Sequence, residues 1–148
     1  GRTGDMTGAD DRNLVLAAVD SAYAILEFEP GGEPDWTVGD ELYSPQAVLA
    51  LRVFPDDPTV SVLSWPQYKK AQMADNLGEH GYSETPGDRE VQIIGDIALV
   101  HQHFTMNFRH RPPAAAVDVF GLVRHHGRWQ IVSVLSDAAR DQNQGDPQ

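Results

Sequence analysis

The sequence predicts an α+β domain in which helices cover one face of a mostly antiparallel sheet, and three observations predict it. Apolar residues recur at helical spacing in the first half of the chain. After Gly81 the spacing changes to two, the period of a strand. The β-rich runs that follow are joined by Gly95-Asp96, the Pro112-Pro113 corner and His126-Gly127. Connections this short make hairpins and cannot carry a parallel crossover. Helices first and a meander last is the order of an α+β domain.

The elements follow in chain order. Residues 1–9 read as a flexible leader, because Gly1 to Thr7 is glycine-rich and aperiodic. Asp10 and Asp11 suit the cap and first turn of a helix reaching about Phe28, with Leu16, Val19, Tyr23 and Leu26 on one face. Pro30, Gly31, Gly32 and Pro34 stop it, and a short helical segment spans Trp36 to Tyr43. Val48 to Phe54 reads as a strand, followed by the turn cluster Pro55-Asp56-Asp57-Pro58. Ser64-Trp65-Pro66-Gln67 is a capping box, with Leu63 and Tyr68 as a hydrophobic staple, and it opens a helix to about Leu77. Four strands then run over Glu90–Ile94, Ile97–Arg109, Ala114–Arg124 and Arg128–Ser136. One domain covers residues 10–138, and the polar segment 139–148 reads as a flexible tail.

A chain of 148 residues has the size of one domain, and about 70% of its unfolded surface can be buried at that length. It has no apolar run of membrane-spanning length and no secretory signal pattern. A cytoplasmic protein without membrane contact is expected. The absence of cysteine removes disulfides, thiol nucleophiles and thiolate metal sites. With 22 Asp+Glu against 11 Lys+Arg the formal charge is -11, which repels phosphate backbones, so no nucleic-acid partner is expected. The two small basic groups, Arg109-His110-Arg111 and Arg124 to Arg128, fall at opposite ends of one strand and cannot merge.

Two faces of the predicted sheet are apolar. Val100, Gln102, Phe104, Met106, Asp118, Phe120 and Leu122 share the face turned to the helices. Leu99, His101, His103, Val117, Val119, Val123, Val132 and Val134 share the other. A sheet apolar on both faces needs two covers, so a homodimer through the convex sheet face is expected.

Three segments carry a family resemblance: Ile94-Gly95-Asp96-Ile97-Ala98-Leu99-Val100, Val117-Asp118-Val119-Phe120-Gly121-Leu122-Val123-Arg124 and Gly127-Arg128-Trp129-Gln130-Ile131-Val132. In this order after two helices, over most of Asp10 to Asp137, they resemble the nuclear transport factor two-like superfamily. Within it the chain looks similar to the polyketide cyclase-like or lumazine-binding group, names that establish no ligand. The resemblance implies a cystatin-like fold, a cone-shaped curved sheet backed by N-terminal helices, with a small apolar pocket in the cone.

The candidate chemistry centres on Asp118. Burial between Val117, Val119 and Phe120 would raise its carboxyl pKa and suit it to acid–base work near neutral pH, and a hydrogen-bonded structural carboxylate is the plainer alternative. Tyr23 stands where ketosteroid isomerase-like proteins place a tyrosine that bonds the substrate oxygen, and Asp118 or Gln102 would satisfy its hydroxyl. Ketosteroid isomerase activity itself is disfavoured, since that reaction needs a base and a protonated acid. Leu51 aligns with the base, and Phe120 falls nearest the acid. The Asp-Arg-Asp arrangement of limonene epoxide hydrolase-like members fails at Ala116. His101 and His103 share a strand face, but two-residue spacing without a third ligand does not make a metal site. Neither a metal nor a cofactor is expected. Trp36, Phe54, Trp65, Phe104, Met106 and Phe120 are candidates to line an apolar ligand site, or else ordinary core. The reading that results is a pocket for a small apolar or polycyclic molecule oriented by Tyr23, Gln102 and Asp118. A cyclase, isomerase or dehydratase using Asp118 is the second reading, and a non-catalytic dimeric partner domain the third.

Overall fold

A computed structural model describes residues 8–139. The leader and tail expected from the sequence lie outside the described residues apart from their inner edges; Gly8 already belongs to the first helix.

The elements are α1 (Gly8–Ala24), α2 (Trp36–Leu42), β1 (Tyr43–Leu51), β2 (Ser61–Ser64), α3 (Trp65–Gln72), α4 (Leu77–His80), β3 (Tyr82–Ile94), β4 (Ile97–Phe108), β5 (Ala114–His125) and β6 (Arg128–Ala138). One six-stranded sheet runs β2-β1-β6-β5-β4-β3. Every pairing is antiparallel except β1 with β6. That parallel pair joins the earliest strand to the last, which only a long connection allows. The helices pack on one face, α1 against β3 and β6 and α3 against β1, and the core lies between.

The buried stripe of α1 is Val15, Ala18, Val19, Ala22 and Tyr23, and Leu26 in the turn after the helix extends it. Val15 takes the inward position expected of Leu16, which is only partly buried. The helix ends four residues before Phe28 because Phe28 pairs with Tyr82 through two backbone bonds of 3.0 Å. Asp11 accepts a 2.7 Å bond from Arg124 and a weaker one from the Trp129 indole, tying α1 to the last hairpin. The capping box forms as expected: Ser64 accepts from the Gln67 amide, and the Gln67 side chain accepts from the Ser64 amide. Helix α3 stops at Gln72 rather than Leu77, because Asp75 and Asn76 take left-handed φ values of 60° and 58°. That conformation interrupts a right-handed helix and is least costly for Asp and Asn.

Strand β1 begins at Tyr43 and ends at Leu51. Its ladder to β6 is irregular between Tyr43 and Val48, which accommodates Pro45 and its missing N–H. Phe54 leaves the sheet because the Asp57 carboxylate accepts its amide in a turn. Strand β3 is longer than expected, starting at Tyr82 instead of Glu90. The turns at Gly95 (φ 56°) and His126-Gly127 (φ 52° and 74°) close the hairpins as expected, the latter with positive φ at both central residues.

Two β-bulges set which side chains reach the interior. In β3, Pro86 pairs with Phe104 and Arg89 with Gln102, so Gly87 and Asp88 together oppose His103. In β6, Gly121 pairs with Ser133 and Leu122 with Ile131, which leaves Val132 as the extra residue. Each bulge shifts the strand's inward set by one residue. Val134 is therefore buried, correcting its expected place on the outer face, and Leu135 faces outward at 57% exposure.

Candidate active site

The interior of the cone holds a cavity of about 40 Å³ between α1, α3 and the sheet, and its polar lining comes from Tyr23, Tyr43, Arg52, Tyr68, Gln72, Glu84, Asp118 and Ser136. Leu49, Phe104, Met106, Phe120 and Val134 supply the apolar wall. This space admits a few waters and is well below the roughly 300–1,000 Å³ that encloses a drug-sized ligand.

Asp118 is 8% exposed in a regular stretch of β5 opposite Gln102 and Ser136. Tyr23 donates to its Oδ2 at 2.8 Å. Burial pushes the Asp118 carboxyl up to about 6, against the opposing pull of hydrogen bonds from Ser136 and Tyr23. Burial also pushes the Tyr23 phenol far above its ordinary range, with the Asp118 charge adding to it. Tyr23 therefore stays a donor at every physiological pH.

A second carboxyl faces the same cavity. Glu84 comes from β3 opposite Met106 and is partly buried. Burial, reinforced by the negative charge of Asp118, raises its pKa to about 8, while the hydrogen bond from the Tyr82 hydroxyl resists the rise. Burial likewise raises the phenols of Tyr43, Tyr68 and Tyr82. Near neutral pH, Asp118 is mostly ionised and Glu84 mostly protonated. Two carboxyls whose environments push their pKa values apart are a matched base and acid, and because they interact they titrate as a pair.

Solved structures share this fold. A protein of unknown function from Silicibacter pomeroyi, described as NTF-2 like, superposes with a TM-score of 0.64 at 17% identity, over 90% of this chain and 100% of that one. Kfla4162 from Kribbella flavida superposes with a TM-score of 0.68 at 14% identity, over 93% of this chain and 96% of that one. A candidate dehydratase from the NTF2-like family of Streptomyces avermitilis gives 0.67 at 20% identity, over 91% and 100%. The chain has the NTF2-like fold. No family model and no curated protein matches the sequence.

Within this NTF2-like fold the residues singled out by sequence divide into two groups. Tyr23, Asp118, Phe104, Met106 and Phe120 meet at the cavity, with Tyr23 packed on the rings of Phe104 and Phe120. Phe54, Trp36, Trp65 and Gln102 lie elsewhere. Phe54 packs on Phe108 beneath the Arg111 guanidinium. Trp65 stacks on Tyr43 at 4.0 Å and donates its indole N–H to Asp40 at 2.8 Å, with Trp36 edge-on against it. Gln102 is fully buried, and its amide is engaged by backbone carbonyls of β3 and β4. His101 and His103 are exposed on the outer face. Among the described residues no group of three or more His, Asp or Glu converges as a metal site would require.

Sequence reasoning missed Glu84, and with it Ser136 as a neighbour of Asp118. The alternation Tyr82-Ser83-Glu84 was a usable signal for Glu84, but Pro86-Gly87 just after it breaks the strand pattern. For Ser136 the sequence offers only Gly121, which allows a bulge nearby, and nothing in the β6 segment itself shows that the extra residue falls there and turns Ser136 inward.

Proposed function

We propose that this protein is a cofactor-free acid–base enzyme of dehydratase or isomerase type acting on a small hydroxy-carbonyl compound. The observation that supports the reading is the pair of carboxyls on one cavity, Asp118 near 6 and Glu84 near 8, each held by a tyrosine hydroxyl. In the dehydration, the Asp118 carboxylate takes the proton α to the substrate carbonyl. Glu84 delivers its proton to the β-hydroxyl, the C–O bond breaks, and water leaves as the C=C bond forms. Proton transfer from Asp118 back to Glu84 resets the pair. The cavity of about 40 Å³ argues against a polycyclic substrate, and even a short-chain one requires the side chains around it to move apart. Burying two carboxyls costs free energy that a purely structural core would avoid with apolar residues, which argues against a non-catalytic partner domain.

The test is turnover of short β-hydroxy ketones and β-hydroxyacyl thioesters, followed by absorbance of the conjugated product. The pH profile should be bell-shaped, with limbs near the two carboxyl values. Asp118→Asn should reduce turnover by about 10²- to 10⁴-fold with an unchanged circular dichroism spectrum. Full activity in a folded Asp118→Asn protein rules the mechanism out, and saturable binding without turnover assigns a ligand-binding role instead.

We further propose that the outer sheet face is covered by a second copy of the chain. Ile97, Leu99 and Leu135 are exposed there, and Ala50, Val117, Val119 and Leu135 line a shallow depression of about 390 Å³ on the same face. Light scattering should give a dimer for the native protein and a monomer for Leu99→Glu/Leu135→Glu. A monomeric native protein refutes this arrangement.

A further inference from the structure

The amide of Gln102 is spent in an unusual way. Its Nε2 donates to the carbonyls of Gly87 at 2.9 Å, Asp88 at 3.2 Å and His103 at 2.9 Å, so two hydrogens are shared among three acceptors. Its Oε1 is the one buried side-chain polar atom without a partner among the described residues. An unpartnered buried carbonyl is costly, so the side chain's value must lie with its NH₂ group. The carbonyls it holds belong to the two bulged residues of β3 and to the single residue of β4 that opposes them.

The bulge has a geometric consequence. On one side of it Tyr82, Glu84 and Pro86 stand opposite Phe108, Met106 and Phe104; on the other, Arg89, Val91 and Ile93 stand opposite Gln102, Val100 and Ala98. Directly opposed residues of an antiparallel pair share a face, and these partners on β4 are all buried. The inward set of β3 thus changes from even to odd numbers across Gly87 and Asp88. A regular strand in the phase of Val91 and Ile93 would turn Ser83 and Thr85 inward and Glu84 out to solvent.

We infer that Gln102 is a positioning residue, which clamps the Gly87-Asp88 bulge and thereby sets the phase of β3 that brings Glu84 into the cavity. The role of Glu84 as an acid rests on the function proposed above; its placement by Gln102 does not.

The test is Gln102→Met, which keeps length and volume and removes the donors. Glu84 is followed by carboxyl-carbon NMR, assigned with Glu84→Gln, together with the cross-strand contact of Glu84 to Met106. The Glu84 midpoint should fall by about two pH units or more, toward the ordinary glutamate value, and the Met106 contact should disappear. Asp118, placed by β5 and Tyr23, should keep its raised midpoint. A folded Gln102→Met protein with Glu84 unmoved in both measurements overturns the inference. If the variant does not fold, the native protein decides: slow solvent exchange of the Gln102 side-chain NH₂ with contacts to Gly87 and Asp88 supports the clamp, and rapid exchange overturns it. Displacement of Glu84 in Gln102→Met combined with full turnover in Glu84→Gln keeps the clamp and removes the acid–base reading. The opposite pair of results does the reverse.

Discussion

The central hairpin β4–β5 and the strands that flank it, β3 and β6, obey different rules. From Ile97 against Val123 to Met106 against Ala114 the central ladder is unbroken, and every second residue faces the core, as strand periodicity demands. Asp118, Phe104, Met106 and Phe120 all reach the cavity on that rule alone. Each flanking strand breaks the rule once, at a bulge, and each break delivers a polar group to Asp118: Glu84 from one side, Ser136 from the other. The regular region supplies Asp118 and most of the apolar wall; the irregular regions complete the chemistry around it.

That contrast can be tested in descending order of effect. The central ladder should be the most sensitive to lost volume. Phe120 is 2% exposed, and Phe120→Ala should cost about 3–5 kcal/mol in urea denaturation. A loss under about 1 kcal/mol would mean the wall is loosely packed.

The acids should make stability fall as pH rises. Both folded carboxyls bind protons more tightly than ordinary carboxylates, so between about pH 4 and 8 the folded state holds more protons than the unfolded chain and the slope of unfolding free energy with pH is negative. Their contribution is fully present below the ordinary carboxylate range and lost as pH passes about 6 and then about 8. Each unit of displacement corresponds to about 1.4 kcal/mol, less where water reaches the group. Melting temperature should therefore drop from pH 5 toward pH 9, and Glu84→Gln should flatten the upper part of that drop.

The β6 bulge predicts a smaller, local effect. A Cβ on Gly121 would lie 2.4 Å from the Ser133 hydroxyl oxygen and an ordinary 3.7 Å from its Cβ. Gly121→Ala should cost about 1 kcal/mol, and most of that cost should vanish in a Ser133→Ala background, a coupling that a double-mutant cycle reads directly. The smallest effect belongs to the periphery. Arg109 pairs with Glu29 at 2.7 Å with both side chains largely exposed, and Arg109→Ala should change stability by under about 1 kcal/mol.

How far the site was legible follows from the same contrast. Tyr23 was readable because helical periodicity put it on the buried side of α1, and Asp118 because it interrupts an apolar face. Trp36, Phe54 and Trp65 were plausible pocket residues, yet aromatic character alone does not distinguish a ligand wall from a core. Their neighbours, Tyr68, Phe108 and Tyr43, consume their surfaces instead. Gln102 was rightly placed inward, but what its amide meets depends on the backbone of another strand.

The sequence by itself determined the fold class, the order of helices and strands, the capping box of α3, the hairpin turns and the inward face of β4 and β5. These follow from interactions between near neighbours and from a fixed side-chain period. Only the tertiary structure decided the two bulges, the parallel pairing of β1 with β6, and the meeting of Glu84, Ser136 and Tyr23 at Asp118. A bulge is stabilised by contacts far away in the chain, here the Gln102 amide in β4 and the Gly121 backbone in β5 that leaves room for the Ser133 hydroxyl; Pro86-Gly87 breaks the β3 pattern without telling which side chains turn inward, and nothing local to β6 records its bulge.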